Sequence, residues 1–426
     1  MKAAELKEKI KYIDIEYIYA CKSEERKVYE DRFVKVIDGF CGEFGDGDGL
    51  RLFSAPGRTE IGGNHTDHQH GAVLAGGLNL DVIGAAKLNG TNTIRIKSEG
   101  YPMDVIDLSD LSENEAEYGK SGAIIKGIAA KFAEMGYKLE GFDAYTVSSV
   151  LKGSGMSSSA AFEVLVANII NSMFAASEVN AVEIAKIGQF AENVYFGKPC
   201  GLLDQMACSV SNMVAIDFAS TEKPVVEKID FDFAKTNHAL CIIDTGADHS
   251  DLTDEYAAIP TEMKKVAAFF GKEFLNDVKK EEFMGKIKEI REAISDDRAV
   301  LRAIHYFNET ERAKAEAKAL KNGDFDGFLQ LVKKSGLSSY MYLQNVYAAS
   351  MPHAQAVSLS LALCDEILGD RGAYRVHGGG FAGTIQAFVP YDMLDEFKTK
   401  IEAVLGEGMC HVLAIRPVGG CEIKIK

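Results

Sequence analysis

A run of glycine and serine residues, placed between a strand-like and a helical segment, is the strongest candidate for binding phosphate. Glycine lets the backbone approach phosphate oxygens closely, and the N–H groups and dipole of a helix start attract anions. A serine-capped helix is the alternative, but three serines behind Gly-x-Gly exceed what one cap requires. The run lacks the Gly-Lys-Ser/Thr ending of a Walker-type loop. The predicted phosphate cradle consists of Gly153, Ser154, Gly155, Met156, Ser157, Ser158, Ser159 and Ala160.

A second segment, residues 55–71, places a guanidinium, imidazoles and a carboxylate among glycines. Arg58, His65 and Asp67 are the groups with which such a segment could hydrogen-bond a polyhydroxylated ligand. Three histidines within six residues also allow a metal site. Polar contacts are the favoured interpretation, because no cysteine lies nearby to complete a zinc site.

A third segment, residues 192–205, has two carboxylates on either side of a Gly/Pro turn. One of them could bind Mg²⁺ while the other acts as a base. Solvation at the surface is the ordinary fate of such side chains. Asp204 is the stronger candidate for a functional role than Glu192, because its sequence neighbours Leu202, Leu203 and Met206 are apolar.

A fourth segment, residues 378–383, formally matches the Gly-x-Gly-x-x-Gly pattern of dinucleotide-binding loops. That pattern carries its meaning only between a strand and a helix, with an acidic residue about 20 positions later. A β-branched run follows here instead. The segment is therefore interpreted as a glycine loop before a strand, with a plain tight turn as the alternative.

The elements that must position these segments group by type and do not alternate strictly, which indicates an α+β fold. Period-2 and β-branched runs predict strands, and apolar residues at helical spacing predict helices. The predicted strands are 50–54, 73–86, 93–97, 142–151, 238–244 and 384–389. The predicted helices are 1–36, 121–135, 182–195, 253–271, 297–321 and 351–368, with one more beginning at residue 157.

Composition restricts the class of protein. A chain of 426 residues favours two domains, and a formal net charge of −16 argues against nucleic acid as a partner. No apolar stretch reaches the ~20 residues of a membrane span, and the charged N-terminus lacks a signal core. Eight scattered cysteines without C-x-x-C spacing predict reduced thiols and a cytoplasmic location.

The four segments occur in an order that resembles the GHMP kinases, and among them the galactokinases. Residues 56–71 are similar to the signature Pro-Gly-Arg-Val-Asn-Leu-Ile-Gly-Glu-His-Thr-Asp-Tyr, and residues 153–160 to the Gly-Leu-Ser-Ser-Ser-Ala loop. Residues 199–205 resemble Pro-Cys-Gly-Ile-Met-Asp-Gln, and residues 378–383 resemble Gly-Gly-Gly-Phe-Gly-Gly. The resemblance spans residues 50 to 390, most of the chain.

This resemblance implies a GHMP kinase fold with ATP between two domains. The N-terminal domain, of the ribosomal S5 type, would comprise residues 1–215 with a helical extension at 1–48. A ferredoxin-like C-terminal domain would comprise residues 216–426. The implied protein is a monomer that binds a small sugar and ATP·Mg²⁺, with neither nucleic acid nor membrane as a partner.

The resemblance also assigns roles to single residues. Asp204 would be the catalytic aspartate and Arg58 its partner, while Ser159, with Ser158, and Glu192 would hold Mg²⁺. The implied reaction transfers a phosphoryl group from ATP to the C1 hydroxyl of galactose. The residues implied to contact the sugar are Asn64, His65, Asp67, Gly201 and Tyr256.

The chain departs from the signature where the substrate is chosen. Glu60 replaces an asparagine, Asn64 replaces the signature glutamate, and His68 replaces a tyrosine. A changed hydrogen-bonding partner can alter discrimination strongly. Alternative substrates are therefore galacturonate, N-acetylgalactosamine and arabinose. A non-catalytic ATP/sugar sensor and a kinase of a non-sugar alcohol are the other classes considered.

Overall fold

The computed structural model describes residues 1–150, 155–220, 223–247 and 252–425. Within these ranges the chain forms twelve strands and fourteen α-helices. The strands are β1 Arg51–Gly62, β2 Ala72–Leu88, β3 Thr93–Ser98, β4 Met103–Asp107, β5 Phe142–Ser148, β6 Met213–Asp217, β7 Val225–Ile229, β8 His238–Asp244, β9 Ala373–Val376, β10 Thr384–Pro390, β11 Cys410–Leu413 and β12 Cys421–Ile423.

The helices carry the longer apolar stripes of the sequence. They are α1 Ala3–Lys9, α2 Ile15–Tyr19, α3 Arg26–Phe44, α4 Ser121–Glu134, α5 Ser158–Phe174, α6 Ala181–Phe190, α7 Leu203–Val210, α8 Thr253–Phe269, α9 Lys280–Gly285, α10 Ile287–Ile294, α11 Asp297–Lys321, α12 Phe325–Ser338, α13 Ala356–Leu368 and α14 Leu394–Leu405. None of the helices in the described ranges combines the length and the apolar content needed to cross a membrane. All eight cysteines are free thiols.

The strands form two sheets. The larger sheet has the order β12-β1-β2-β5-β3-β4, with β6 beside the first part of β2 and β7 beside β6. The smaller sheet, β11-β8-β10-β9, is antiparallel throughout. Two sheets with helices packed on them confirm the predicted α+β class.

The chain returns to the larger sheet after leaving it. The C-terminal strand β12 pairs with β1, where Ile423 lies opposite Leu52, and β7 pairs with β6. Both strands lie beyond residue 215 in the sequence. The division of the chain at 215 and 216 stays a prediction, and the larger sheet contains strands from both sides of it.

The N-terminal helices cover one face of the larger sheet. Phe33 and Ile37 of α3 are buried together with Leu52, Ile83 and Val147 from three neighbouring strands. Full burial of one such apolar side chain contributes about 1.5–3 kcal/mol. Residues 1–48 are therefore integral to this part of the fold.

Strand β1 is longer than the sequence predicts. The predicted strand 50–54 continues to Gly62, so the Pro-Gly-Arg segment, interpreted as a loop, lies within a strand. Register shifts between Pro56 and Arg58 and between Glu60 and Gly62 interrupt its pairing with β2. Such bulges let a strand keep its pairing while it redirects a side chain toward a site.

Candidate active site

An ion pair between Arg58 and Asp204 is the centre of the site. Arg58 follows the first bulge of β1, and Asp204 lies in the first turn of α7, where the helix dipole favours a carboxylate. The Arg58 Nε and Nη2 atoms lie 2.8 and 2.7 Å from Asp204 Oδ1. The structure thus brings together the two residues that were predicted to carry catalysis.

The two partners differ in their access to solvent. The Arg58 side chain is 8% exposed and the Asp204 side chain 37% exposed. Burial by itself lowers the pKa of Arg58, but the neighbouring carboxylates of Asp204 and Glu60 outweigh it and raise that pKa. A permanently charged guanidinium therefore lies behind a carboxylate that faces an opening.

The predicted cradle at residues 153–160, the phosphate run, is hydrogen-bonded to this ion pair through Gly155 and Ser157. Arg58 Nη1 donates a hydrogen bond to the carbonyl of Gly155, and the hydroxyl of Ser157 donates to Asp204 Oδ2. The Arg58 backbone N–H also donates to the carbonyl of Met156, at 3.2 Å. A phosphate bound by this run would therefore lie next to Asp204.

Most of the predicted cradle can be placed. Gly153 and Ser154 lie outside the described residues. Gly155 and Ser157 have φ angles of 69° and 56°, a left-handed conformation that glycine adopts readily and that makes the turn into α5. Helix α5 begins at Ser158, so the predicted helix after the run is confirmed. The side chains of Met156 and Ala160 are buried, which leaves only their backbone groups for a ligand.

A small cavity of about 140 Å³ opens beside the ion pair. It brings together groups from three segments that are far apart in the sequence. Its lining consists of Asp67, Ser159, Glu192, Lys198, Cys200, Gly201, Leu203 and Asp204. Five of these were predicted site residues.

The oxygen atoms in this cavity fit a magnesium ion. Glu192 is buried, and its carboxylate accepts hydrogen bonds from Lys198 Nζ at 3.1 Å and from Gln205 Nε2 at 2.8 Å. Ser159 offers a hydroxyl in the first turn of α5. In the described part of the chain, no group of three or more His, Cys, Asp or Glu residues could form a metal cage. Mg²⁺ commonly uses one or two protein oxygens and completes its coordination with phosphates and water.

Glu163 is a buried carboxyl that the sequence reasoning missed. Gln205 Nε2 donates to Glu163 at 2.9 Å as well as to Glu192, so one amide links both carboxyl groups. Burial and the nearby charge of Glu192 raise the pKa of Glu163 to about 8. The available signal was an acidic residue one helical turn after Ser159 in an otherwise apolar helix.

Asp67 and Gly201, two of the predicted sugar contacts, lie against each other in the cavity. A Cβ atom at Gly201 would overlap the Asp67 carboxylate, so a larger residue at that position would displace this carboxylate. Burial raises the pKa of Asp67 to about 6, with further contributions from Glu60 and Asp204. Asp67 can therefore accept hydrogen bonds as an anion at neutral pH.

His65 and Tyr256 hold the glycine loop, defined here as residues 378–380. His65 Nε2 donates to the carbonyl of Gly379 at 3.0 Å, and the Tyr256 hydroxyl donates to the carbonyl of Gly380 at 2.8 Å. The structure therefore brings two of the predicted sugar contacts to the fourth sequence segment.

Asn64 lies within a buried hydrogen-bond network. Its side chain is fully buried, and its Nδ2 donates to Glu60 Oε1 at 2.8 Å and to the Gly378 carbonyl at 2.7 Å. Its Oδ1 accepts from Ser339 at 3.2 Å and from Asn345 at 2.9 Å. A primary amide has two donor hydrogens and two acceptor lone pairs. All four are used inside the protein, and the contact of Asn64 with a sugar stays a prediction.

His68, at the position of the signature tyrosine, was not among the predicted site residues. Both of its ring nitrogens are buried without a hydrogen-bond partner in the structure. Burial lowers its pKa well below the ordinary range, so the ring is neutral. It lines a cleft of about 410 Å³ that also includes Asp67, Gly201 and Lys264. This cleft extends the cavity beside Asp204 toward α8.

The sequence matches known families over the same regions. Residues 38–88 match the galactokinase galactose-binding signature, and residues 123–212 match the N-terminal domain of GHMP kinases. Galactokinase from Clostridium tetani is 30% identical over 365 residues, which cover 84% of this chain and 88% of that protein. The chain belongs to the galactokinase family. Galactokinase from Streptomyces coelicolor is 28% identical over 354 residues, 82% of this chain and 87% of that protein.

The GHMP kinase fold, predicted from the resemblance, is confirmed by solved structures. Lactococcus lactis galactokinase, solved as a complex with galactose, superposes with a TM-score of 0.75 at 24% identity. The superposition covers 90% of this chain and 98% of that one. Mevalonate kinase from L. major, solved in complex with R-mevalonate, shares the fold more distantly, with a TM-score of 0.58 over 88% of this chain and 97% of that one at 14% identity. As a member of the galactokinase family, the protein is a sugar kinase.

Proposed function

We propose that this protein transfers the γ-phosphoryl group of ATP to the C1 hydroxyl of galactose. One observation carries the proposal: Asp204, paired with the buried Arg58, shares a cavity with Asp67, Ser159 and Glu192. A base, an acceptor for sugar hydroxyls and oxygen ligands for a cation are then within one small space. The complex of Lactococcus lactis galactokinase with galactose supports the choice of sugar.

In the proposed reaction, Asp204 orients the C1 hydroxyl and accepts its proton. The hydroxyl oxygen forms a bond to the γ-phosphorus while the bond from that phosphorus to the β,γ-bridging oxygen breaks. Galactose 1-phosphate and ADP are the products. Arg58 holds the Asp204 carboxylate in place through their ion pair and offsets negative charge on the phosphoryl group in transit. Positioning and electrostatics supply most of the catalysis in reactions of this class.

The remaining residues bind and position the substrates. The backbone amides around Gly155 and the start of α5 are proposed to hold the phosphates of ATP, and Asp67 to accept hydrogen bonds from sugar hydroxyls. Ser159 and Glu192 would hold Mg²⁺, which when bound offsets charge on the β- and γ-phosphates. Action as a monomer and a cytoplasmic location stay predictions of the sequence.

The test is a coupled assay of ADP release from purified protein with ATP·Mg²⁺ and a panel of sugars. The panel contains galactose, galacturonate, N-acetylgalactosamine and arabinose, with mevalonate as a non-sugar control. We expect galactose to give the highest kcat/KM and a product phosphorylated at C1 by ³¹P NMR. Another preferred acceptor would overturn the choice of sugar, and ATP and sugar binding without turnover would indicate a sensor.

A further inference from the structure

Two signature positions have exchanged their side-chain types in this chain. The signature has an asparagine and, four positions later, a glutamate, whereas this chain has Glu60 and then Asn64. In the structure the two side chains touch, with Asn64 Nδ2 donating to Glu60 Oε1 at 2.8 Å. An amide and a carboxylate therefore still occupy these two positions, but the negative charge is at the other one.

The charge at position 60 has a buried partner. Arg375 on β9 is fully buried, and its Nη2 donates to Glu60 Oε1 at 2.9 Å. Its Nη1 donates to the carbonyl of Ile61 at 2.5 Å. Removal of one member of a buried ion pair leaves the other charge uncompensated. Glu60 is therefore fixed in place as the counter-ion of Arg375.

The amide at position 64 is required as a donor. Besides the hydrogen bond to Glu60, Asn64 Nδ2 donates a second one to the carbonyl of Gly378, at 2.7 Å. A carboxylate at position 64 would instead face two acceptors, this carbonyl and the carboxylate of Glu60. When residue 60 is a glutamate, residue 64 therefore needs a side chain that can donate hydrogen bonds, as asparagine can.

Asn64 joins parts of the chain that are remote in sequence. Asn345 Nδ2 donates to Asn64 Oδ1 at 2.9 Å and to the Gly379 carbonyl at 3.1 Å. The backbone carbonyl of Asn64 accepts from His305 Nε2 at 2.9 Å. Asn64 belongs to the segment of residues 55–71, the sugar segment. Through its hydrogen bonds this segment is joined to the glycine loop and to two later parts of the chain, at His305 and Asn345.

The glycine loop lies next to the phosphate run. A Cβ atom at Gly378 would lie 3.8 Å from the carbonyl oxygen of Gly155, and a Cβ atom at Gly155 would lie 3.5 Å from Nδ1 of His377. The Gly155 carbonyl is also bonded to Arg58. A displacement of the glycine loop would therefore change its packing against Gly155 of the phosphate run, and with it the hydrogen bond that Gly155 accepts from Arg58 of the ion pair.

We propose that the exchanged pair of Glu60 and Asn64 sets the position of the glycine loop, and so couples the sugar segment to the phosphate run. Asn64 is on this account a positioning residue and not a sugar ligand. The inference rests on the proposed function, because its main readout is sugar phosphorylation.

The decisive variant is Asn64→Asp, which keeps the shape of the side chain but removes both donors. The oxygen that replaces Nδ2 would face both the carboxylate of Glu60 and the carbonyl of Gly378. We expect a loss of about 10²-fold in kcat/KM for galactose, shared between kcat and KM, because misplacement of about 1 Å costs that much. The paired variant Glu60→Gln/Asn64→Asp restores an amide–carboxylate contact at unchanged net charge relative to wild type. We expect it to recover about tenfold of the loss.

The matched control is Asn180→Asp, the same chemical change at the exposed N-cap of α6, where either residue is accepted. Its kcat and KM should equal those of the wild type. If Asn64→Asp does not fold, the recovery is measured as the return of cooperative thermal unfolding in the paired variant.

Two results would overturn the inference. The first is wild-type kcat and KM in Asn64→Asp, whether or not its thermal stability falls. The second is a paired variant no better than Asn64→Asp. Failure of the proposed function is a separate outcome. It would appear as absence of galactose turnover in the wild type. Thermal unfolding and ADP binding of the wild type, Asn64→Asp, the paired variant and Asn180→Asp would still measure the coupling between the sugar segment and the phosphate run.

Discussion

Two arginine–aspartate pairs in this protein have opposite surroundings. Arg58 and Asp204 meet at the cavity, and the Asp204 side chain is 37% exposed. Arg416 and Asp81 meet under the N-terminal helices, and both side chains are fully buried. We therefore propose that the same two residue types serve a reaction in one place and the fold in the other.

The donors around Asp81 account for the difference. Tyr19 of α2 donates to Asp81 at 2.7 Å, and Arg32 of α3 lies 2.7 Å from its second oxygen. Ser54 on β1 donates to it as well. Burial raises the pKa of Asp81, but the two guanidinium groups and the hydroxyls outweigh it and lower that pKa below its ordinary value. A carboxylate that is fully buried between two arginines and two hydroxyls is closed to a substrate.

The comparison is most sharply tested at Asp204. Asp204→Asn keeps the shape but removes the charge and the base, so we expect kcat to fall by about 10²–10⁴-fold. The free energy of unfolding should fall by less than in Asp81→Asn, because Asp204 is partly exposed and the buried Arg58 keeps the charge of Glu60 nearby. Steady-state kinetics and urea unfolding measure the two effects. Asp31→Asn, on the exposed face of α3, is the matched control, and undiminished turnover in Asp204→Asn would remove Asp204 from its proposed role.

The opposite result is expected at Asp81. Asp81→Asn leaves buried guanidinium groups without their counter-ion, which costs about 3–5 kcal/mol of unfolding free energy. Turnover per folded molecule should stay at the wild-type value. Urea unfolding with parallel kinetics makes the measurement. A stable variant that has lost turnover would contradict the assignment of Asp81 to the fold.

A third carboxyl, Glu316 on α11, is buried without a partner for either oxygen in the structure. Burial raises its pKa from the ordinary 4.5 to about 8, although Arg375 and Arg312 oppose the shift. The stability that it contributes is fully present below pH 4.5 and is lost as the pH rises through about 8, by up to ~1.4 kcal/mol per pH unit.

Glu316→Gln stays neutral at every pH, and we expect it to flatten this loss. Urea unfolding at pH 5, 6, 7 and 8 should show the variant gaining stability relative to the wild type as the pH rises. Glu292→Gln at the exposed surface is the control. Parallel pH profiles for Glu316→Gln and the wild type would show that Glu316 ionises normally.

The smallest effect is expected at Ser157, which donates to Asp204 Oδ2 from the phosphate run. Ser157→Ala removes one hydrogen bond, worth about 0.5–1.5 kcal/mol, so kcat should fall about 2–10-fold. Single-turnover kinetics with saturating ATP measure the change. A loss as large as that of Asp204→Asn would mean that Ser157 has a further role in binding phosphate.

Local patterns determined a large part of the fold. Helix α11 and strand β8 have the predicted bounds, because an apolar stripe of period 3.6 and a buried β-branched run are local properties of the chain. Shorter elements were missed: β7 and β12 have five and three residues, too few for a period to show. The pairing that makes them strands comes from distant partners.

The sequence by itself determined the class of protein and the residues that meet at the cavity, because four motifs in one order specify the carboxylates, hydroxyls and guanidinium that the chemistry needs. Only the tertiary structure decided what each side chain faces. Asn64 was predicted to face a sugar, yet its amide is used by Asn345, 281 residues later, and by three other groups. Asp81 belongs to none of the four motifs, and its role follows from its contacts with Tyr19 and Arg416. Such roles depend on contacts between residues far apart in the chain, and no local spacing records them.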